Sequence, residues 1–228
     1  MQSTEYMDGI QSATIEQVLS GLRMDIVAGK RRNGEKLVES ELGKQYGVSR
    51  GTVRSALSVL QSEGLVHFLP TGRKEVVSLT QKKIYDLYDL RWIIENRALE
   101  IIFKEQYTDF ATIVKALREA RKVTRDMDIW GDIDLQFHRG IVEASGNQAL
   151  LRAWEHNLPV IRNIMHLDLL ENATHNPTDE HREIFNLMVV GDERVFDILH
   201  HHIMDFCPMG IGSYWNLQRA NPDALLEK

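Results

Sequence analysis

Apolar residues return at helical spacing along most of the chain. Ile15, Val18, Leu19, Leu22 and Ile26 fall at intervals of three and four, so "TIEQVLSGLRMDIVAG" predicts a helix with Thr14 as its cap and Gly29 as its stop, after ten frayed residues. "ESELGKQYG" predicts a short helix closed by Gly47. "SRGTVRSALSVLQSEG" predicts another, with Ser49 as N-cap, Val53, Ala56, Leu57 and Leu60 inward, and Gly64 at its end. "LVHFL", "PTGRK" and "EVVSL" then read as strand, turn and strand.

After Thr80 only helical spacing remains. The predicted helices are "QKKIYDLYDLRWIIENRALEIIFKE", "TDFATIVKALREARKVTRDM", "DIDLQFHRGIVEAS", "NQALLRAWEHNLPVIRNIMHLDLLENAT", "PTDEHREIFNLMVVG" and "DERVFDILHHHIMDF". Pro159 is expected to kink the fourth, and Asn176 to cap the fifth before Pro177. The expectation is a mainly α chain in three parts: a winged helix-turn-helix domain over residues 10–79, an all-α bundle over 80–210, and an unassigned tail over 211–228.

Composition changes this picture little. The 228 residues carry a net charge of −6, and the single cysteine, Cys207, permits no intrachain disulfide, which suits a reducing cytoplasm. No basic-then-apolar leader opens the chain and no apolar run reaches the roughly 20 residues of a membrane span, so no membrane partner is expected. The charge is uneven. Residues 1–80 hold ten basic and nine acidic side chains, against 17 and 24 beyond them, so the first part alone can approach a polyanion without strong repulsion.

The chemistry of that first part centres on "YGVSRGTVRSAL". Gly47 permits a positive-φ turn between two helices. Ser49, Arg50, Thr52 and Arg54 are expected at the exposed N-terminal end of the second helix, the end that enters the DNA major groove in such motifs. Hydroxyls and free helix N–H groups suit phosphate oxygens, and an Arg fork matches guanine O6 and N7. Thr71, Gly72 and Arg73 form a short basic hairpin tip, suited to a wing on the minor groove or backbone.

In "KLVESELGKQYGVSRGTVRSALSVLQSEGLV" the positions Leu37, Glu39, Leu42, Gly47, Val48, Ser49, Arg50, Val53, Arg54, Ala56, Leu57, Leu60, Gly64 and Leu65 carry a pattern that resembles the DNA-binding domain of GntR-family bacterial transcription regulators. Two residues depart from it: Gly43 where alanine is usual, and Gly51 where a larger residue begins the recognition helix.

Three consecutive histidines, His200 to His202, lie on the last helix. The stripe Val195, Ile198, Leu199, Phe206 includes His202, whereas His201 falls with Arg194, Asp197 and Asp205 on the polar face and His200 between. On the preceding helix His181 leads the stripe Ile184, Phe185, Met188. His181 stands ten residues before Gly191 and His202 eleven after it, so in an antiparallel pair both lie roughly 15 Å from the turn and level with each other. Asp134 and His138, four residues apart beside Ile133, Phe137 and Ile141, share a face of a third helix. One carboxylate and three imidazoles meeting in a helical core suit a divalent transition metal: zinc, nickel, manganese or iron. Each histidine alone reads more readily as a core residue bonded to one backbone carbonyl; the level placement of His181 and His202 with the Asp134 and His138 pair turns the reading toward a metal. Glu180 adjoins His181 but lies about 100° round the helix, so no second acid or base is expected beside the four. Trp92, Trp130, Trp154 and Trp215 are expected as packing residues.

"DLYDLRWIIENRALE", "DIDLQFHRGIVEASGN" and "EHREIFNLMVVGD" resemble the effector-binding FCD domain of the FadR branch of the same family. That resemblance implies a metal on Asp134, His138, His181 and His202. The usual spacing to the last ligand reaches Ile203, but a one-residue deletion after the Gly191 turn restores His202, in agreement with the stripe. It implies that Arg91 offers a fork to the carboxylate of an organic or sugar acid, with Arg162 assisting. The function implied is a cytoplasmic homodimeric transcription regulator, a repressor by preference, on a pseudo-palindromic operator. Two rivals are a metalloenzyme fused to a DNA-binding module, and a metal-free sensor whose histidines hydrogen-bond the ligand.

Overall fold

The computed structural model describes residues 2–105, 108–122, 127–171, 178–205 and 207. The chain divides between Thr80 and Gln81 into two compact units.

In the first unit α1 (Gln2–Val27) packs on α3 (Arg50–Ser62), and α2 (Glu39–Tyr46) leads into α3. Val18, Leu22, Ile26, Val53, Ala56, Leu57 and Leu60 form the core. Helix α1 begins well before the expected cap, so Thr14 lies inside it; no proline interrupts its first half. A buried ion pair joins the two helices, with Arg23 Nε and Nη2 donating to Glu63 at 2.9 and 2.8 Å. Gly47 ends α2 at φ 69°, and its N–H and that of Val48 both donate to the Gly43 carbonyl. The close turn explains Gly43: a Cβ there would stand 2.9 Å from the Val48 carbonyl oxygen. Strands β1 (Val66–Phe68) and β2 (Lys74–Val76) pair antiparallel with Val66 opposite Val76, and a bridge from Lys36 to Glu75 ties the hairpin to the segment before α2. This is a winged helix-turn-helix.

Among the described residues the second unit is helical throughout: α4 (Gln81–Ile102), α5 (Ala111–Ala120), α6 (Met127–Ala144), α7 (Gln148–Glu171), α8 (Thr178–Val190) and α9 (Arg194–Asp205). Helix α6 packs against α4, α5 and α7, while α9 lies between α4 and α8. Helix α7 runs through Pro159. Helices α8 and α9 are joined at Gly191, whose φ of 70° turns the chain back. The core of Ile84, Leu99, Phe137, Ile141, Trp154, Ile164, Ile184, Val195 and Leu199 encloses a group of buried polar side chains from four helices. The expected Asn176 cap and the 211–228 tail lie outside the described residues.

Candidate functional site

Asp134 and His138 come from α6, His181 from α8 and His202 from α9, and one ligand atom of each lies within 4.8 Å of all the others. All four are buried: 6, 0, 1 and 7% exposed. The level placement of His181 and His202 across the Gly191 turn is present, with their Nε2 atoms 3.0 Å apart. His138 Nε2 is 3.2 Å from His202 Nε2. Asp134 Oδ1 stands 3.1 Å from His181 Nε2 and 3.9 Å from His138 Nε2. Phe137 stacks on His181, centroids 4.1 Å apart, and fixes its plane. The other two histidines of the triplet take no part. His201 faces solvent near Asp205, and His200 meets the Trp92 ring edge-on.

The outer edges of two rings are bound by acids, correcting the expectation that none stands beside the four. His138 Nδ1 is 2.6 Å from Glu95 Oε2, and His202 Nδ1 is 2.8 Å from Glu180 Oε2. Glu95 sits on the inner face of α4, one turn after Arg91, and is wholly buried. Arg91 Nε donates to Glu95 Oε1 at 2.9 Å and Trp154 Nε1 to the same oxygen at 3.1 Å. Trp154 thus does more than pack. Burial pushes the Glu95 carboxyl up, against the pull of Arg91 and Trp154 toward the carboxylate. The Arg91–Glu95 spacing of four residues within a helical stripe was the sequence signal for this pair.

This arrangement favours one tautomer. A ring that gives its Nδ1 proton to a carboxylate keeps a bare lone pair at Nε2. In that tautomer His138 and His202 would turn two lone pairs toward each other across 3.2 Å, a contact that repels unless a cation or a proton stands between them. Burial, with Arg91 next, lowers the His138 pKa well below its usual range, and burial with His181 lowers that of His202, so both are disposed to stay neutral. Burial alone would raise Asp134, but His138, His181 and Arg91 outweigh it and hold the carboxyl below the ordinary range. Neutral imidazoles and an ionised carboxylate are the protonation states a metal requires. The donor set fits a borderline divalent ion.

The two arginines expected at an effector separate. Arg91 is buried, its Nη2 3.9 Å from Asp134 Oδ2. Arg162 is exposed and its fork is taken by Asp132 at 2.6 Å on both nitrogens.

In the first unit, Ser49 caps α3: its hydroxyl accepts from the Thr52 N–H at 3.1 Å. Thr52 differs from expectation. It is 7% exposed and its hydroxyl lies 2.9 Å from that of Ser49, because a residue three after the cap faces back toward it. Arg50 is exposed. Arg54 is exposed and held by Glu39. Thr71, Gly72 and Arg73 are exposed at the hairpin tip, Gly72 with φ 81° and Arg73 paired with Glu75 at 2.6 Å.

Comparison with known proteins defines the class. The profile described as bacterial regulatory proteins, gntR family, matches residues 14–75, and that of the FCD domain matches residues 86–205. The gluconate operon transcriptional repressor of Bacillus licheniformis is 29% identical over 162 residues, spanning 70% of this chain and 66% of that protein. The HTH-type transcriptional regulator YdhC of Bacillus subtilis is 30% identical over 179 residues, spanning 74% of this chain and 78% of that one. Among solved structures, Lar, described as controlling expression of the Listeria monocytogenes agr system, superposes with a TM-score of 0.67 at 16% identity, over 86% of this chain and 95% of its own. The last likeness speaks to fold alone. The chain belongs to the gntR family of bacterial regulatory proteins, with an FCD domain as its second part. The family and these relatives are transcription regulators rather than enzymes. No described helix is long and apolar enough to cross a membrane.

Proposed function

We propose that this protein is a cytoplasmic DNA-binding transcription regulator, acting as a homodimeric repressor, whose operator affinity responds to a small organic or sugar acid at a metal site. The domains are those of the sequence reading: residues 10–79 read DNA and residues 80–210 sense the ligand. Ser49, Arg50, Thr52, Arg54, Thr71, Gly72 and Arg73 form the reading surface, with Thr52 contributing through the cap it shares with Ser49.

One observation carries the sensing half: the Nε2 atoms of His138 and His181 both lie within 3.2 Å of His202 Nε2, beside the Asp134 carboxylate, in a closed core. Asp134, His138, His181 and His202 would hold zinc, nickel, manganese or iron. Such an ion supplies a Lewis-acidic anchor for a carboxylate ligand. Arg91 spends its Nε on Glu95, which leaves the guanidinium end to meet the ligand's second oxygen. Arg162, in its present pairing with Asp132, assists only if that pair opens. A ligand that binds the two docking states of the domains unequally shifts DNA affinity by that difference.

Gluconate and other aldonates are the first compounds to test, since one relative is named for the gluconate operon. The experiment is a thermal-shift screen on metal-replete protein. A true effector raises the melting temperature by binding the folded state. Arg91→Lys keeps the buried charge and loses the fork, so it should abolish the shift while the protein still folds. Elemental analysis showing no metal in protein purified without chelator, with no uptake on addition, overturns the sensing half.

A further inference from the structure

We infer that Glu39 is a specificity-determining residue of the DNA-reading surface: it braces Arg54 for a base and withholds both Arg54 and Lys74 from indiscriminate phosphate binding. The inference rests on the DNA-reading assignment of the first unit.

Glu39 is the first residue of α2, yet its carboxylate joins three elements. Arg54 of α3 donates Nε and Nη2 to it at 3.1 and 2.9 Å, and Lys74 of β2 donates Nζ at 2.9 Å. The acid is 16% exposed, whereas the Arg54 side chain is 65% exposed. Arg54 and Lys74 hold the Glu39 pKa down to about 2, so it stays ionised through the physiological range. Among the described residues Glu39 is the sole acid lining a cleft of about 460 Å³, whose cations are Lys36, Arg50, Arg54, Arg73 and Lys74. Glu39 and Lys74, 16 and 17% exposed, tie the hairpin to α2, but a pair made with the largely exposed Arg54 adds little stability, so that half of the convergence calls for another explanation.

The geometry of the guanidinium supplies it. Glu39 takes the side edge, Nε with Nη2. The end edge, Nη1 with the outer hydrogen of Nη2, is taken by no described residue, and it is the edge that matches guanine O6 and N7. A braced arginine has already lost the rotamer freedom that a base contact requires it to lose. A free one swings to whichever phosphate is nearest. The carboxylate also repels phosphates directly. Both effects lower non-specific affinity relative to specific affinity.

The test uses the full chain. An operator is selected from random duplexes with wild-type protein. Affinity for it and for a scrambled duplex is then measured across a salt series for wild type, Glu39→Gln, Glu39→Asp, Arg54→Ala and the Glu39→Gln/Arg54→Ala double variant. In Glu39→Gln, scrambled DNA should bind more tightly, and its salt slope should steepen by about one to two as two cations become available to phosphates. The ratio of selected to scrambled affinity should fall about tenfold, the scale of one good base contact. Glu39→Asp keeps the charge but not the reach, so the ratio should fall while the scrambled affinity stays near wild type. Glu39→Gln should cost no further ratio in the Arg54→Ala background. A merely structural role predicts equal proportional loss on both duplexes with the ratio unchanged; that result, or an unchanged salt slope, overturns the inference. Failure of wild type to select any sequence sinks the DNA-reading assignment itself.

Discussion

At the scale of residues, the acids behind the imidazoles decide which ring nitrogen is left to face inward. Glu95 Oε2 and Glu180 Oε2 lie within hydrogen-bond reach of the Nδ1 atoms of His138 and His202, and a ring that donates there aims its Nε2 lone pair inward. Outer partners of this kind typically govern metal affinity by about 10- to 100-fold. Glu95 is wholly buried while Glu180 is 41% exposed. Glu95→Gln should therefore weaken metal binding more than Glu180→Gln, with Glu95→Gln inside that range, as read by competition with a chromophoric chelator. Equal affinities in all three proteins would contradict the tautomer assignment. A separate titration belongs to Glu39. Its folded pKa is depressed from 4.5 to about 2, so the stability it contributes is present above pH 4.5 and is lost as pH falls through 2. Urea melts between pH 5 and 2 should show a shallower acid decline in Glu39→Gln than in wild type. Most of the four-ligand set was legible because each ligand sits on a helical stripe that periodicity exposes. Glu95 and Glu180 were not, for different reasons. Glu95 is an acid on a largely apolar helix stripe, and nothing local to its own helix tells that it reaches His138 on α6. Glu180 reaches His202 across a helix pair, and angular bookkeeping about its own helix does not reveal such a reach.

At the scale of elements, glycines report how closely the helices approach. Gly140 of α6 faces α5, and a Cβ there would stand 2.7 Å from Ile113 Cγ1 and 3.0 Å from the Ile113 nitrogen. A backbone atom at that distance cannot move aside cheaply. Gly140→Ala should destabilise the second unit by about 1–3 kcal/mol. Gly51 is the opposite case. It lies exposed within α3, and only Ser49 Oγ, at 3.6 Å, is near its would-be Cβ. Gly51→Ala should stabilise the first unit by about 0.5–1 kcal/mol through lower backbone entropy in the unfolded chain. Chemical denaturation followed by circular dichroism checks both signs. The helix stops were readable from sequence because Gly29, Gly47, Gly64 and Gly191 all adopt positive φ. The start of α1 was not, since helix continuation through residues 2–13 depends on the absence of a stop rather than on any signal. Thr52 was misplaced for a comparable reason. Helical position gives its angle, but the cap it shares with Ser49 turns its hydroxyl inward.

At the scale of the whole molecule, the two units place different demands on a bound ion. The four candidate ligands lie on α6, α8 and α9, and Glu95 links them to α4. An ion in that set cross-links helices separated by long stretches of chain, all within the second unit. Folded protein offers the preformed site and unfolded chain does not, so the binding free energy adds to the stability of that unit. At free metal 1,000-fold above the dissociation constant the linkage is worth about 4 kcal/mol. Removing the metal should cost that amount, a figure that already contains any opposition between His138 and His202 in the metal-free state. The loss acts on one region only. Hydrogen exchange after chelation should accelerate in α4, α6, α8 and α9 and stay unchanged in α2 and α3, and addition of zinc should reverse it. Thermal melting should show the same division, with one transition moving and the other fixed. A uniform loss of protection across both units would mean that the ion stabilises the chain globally and that the site is not confined to the sensing half. No change anywhere would mean that the three imidazoles share a proton rather than a metal, and the sensing reading would then have to rest on hydrogen bonds alone.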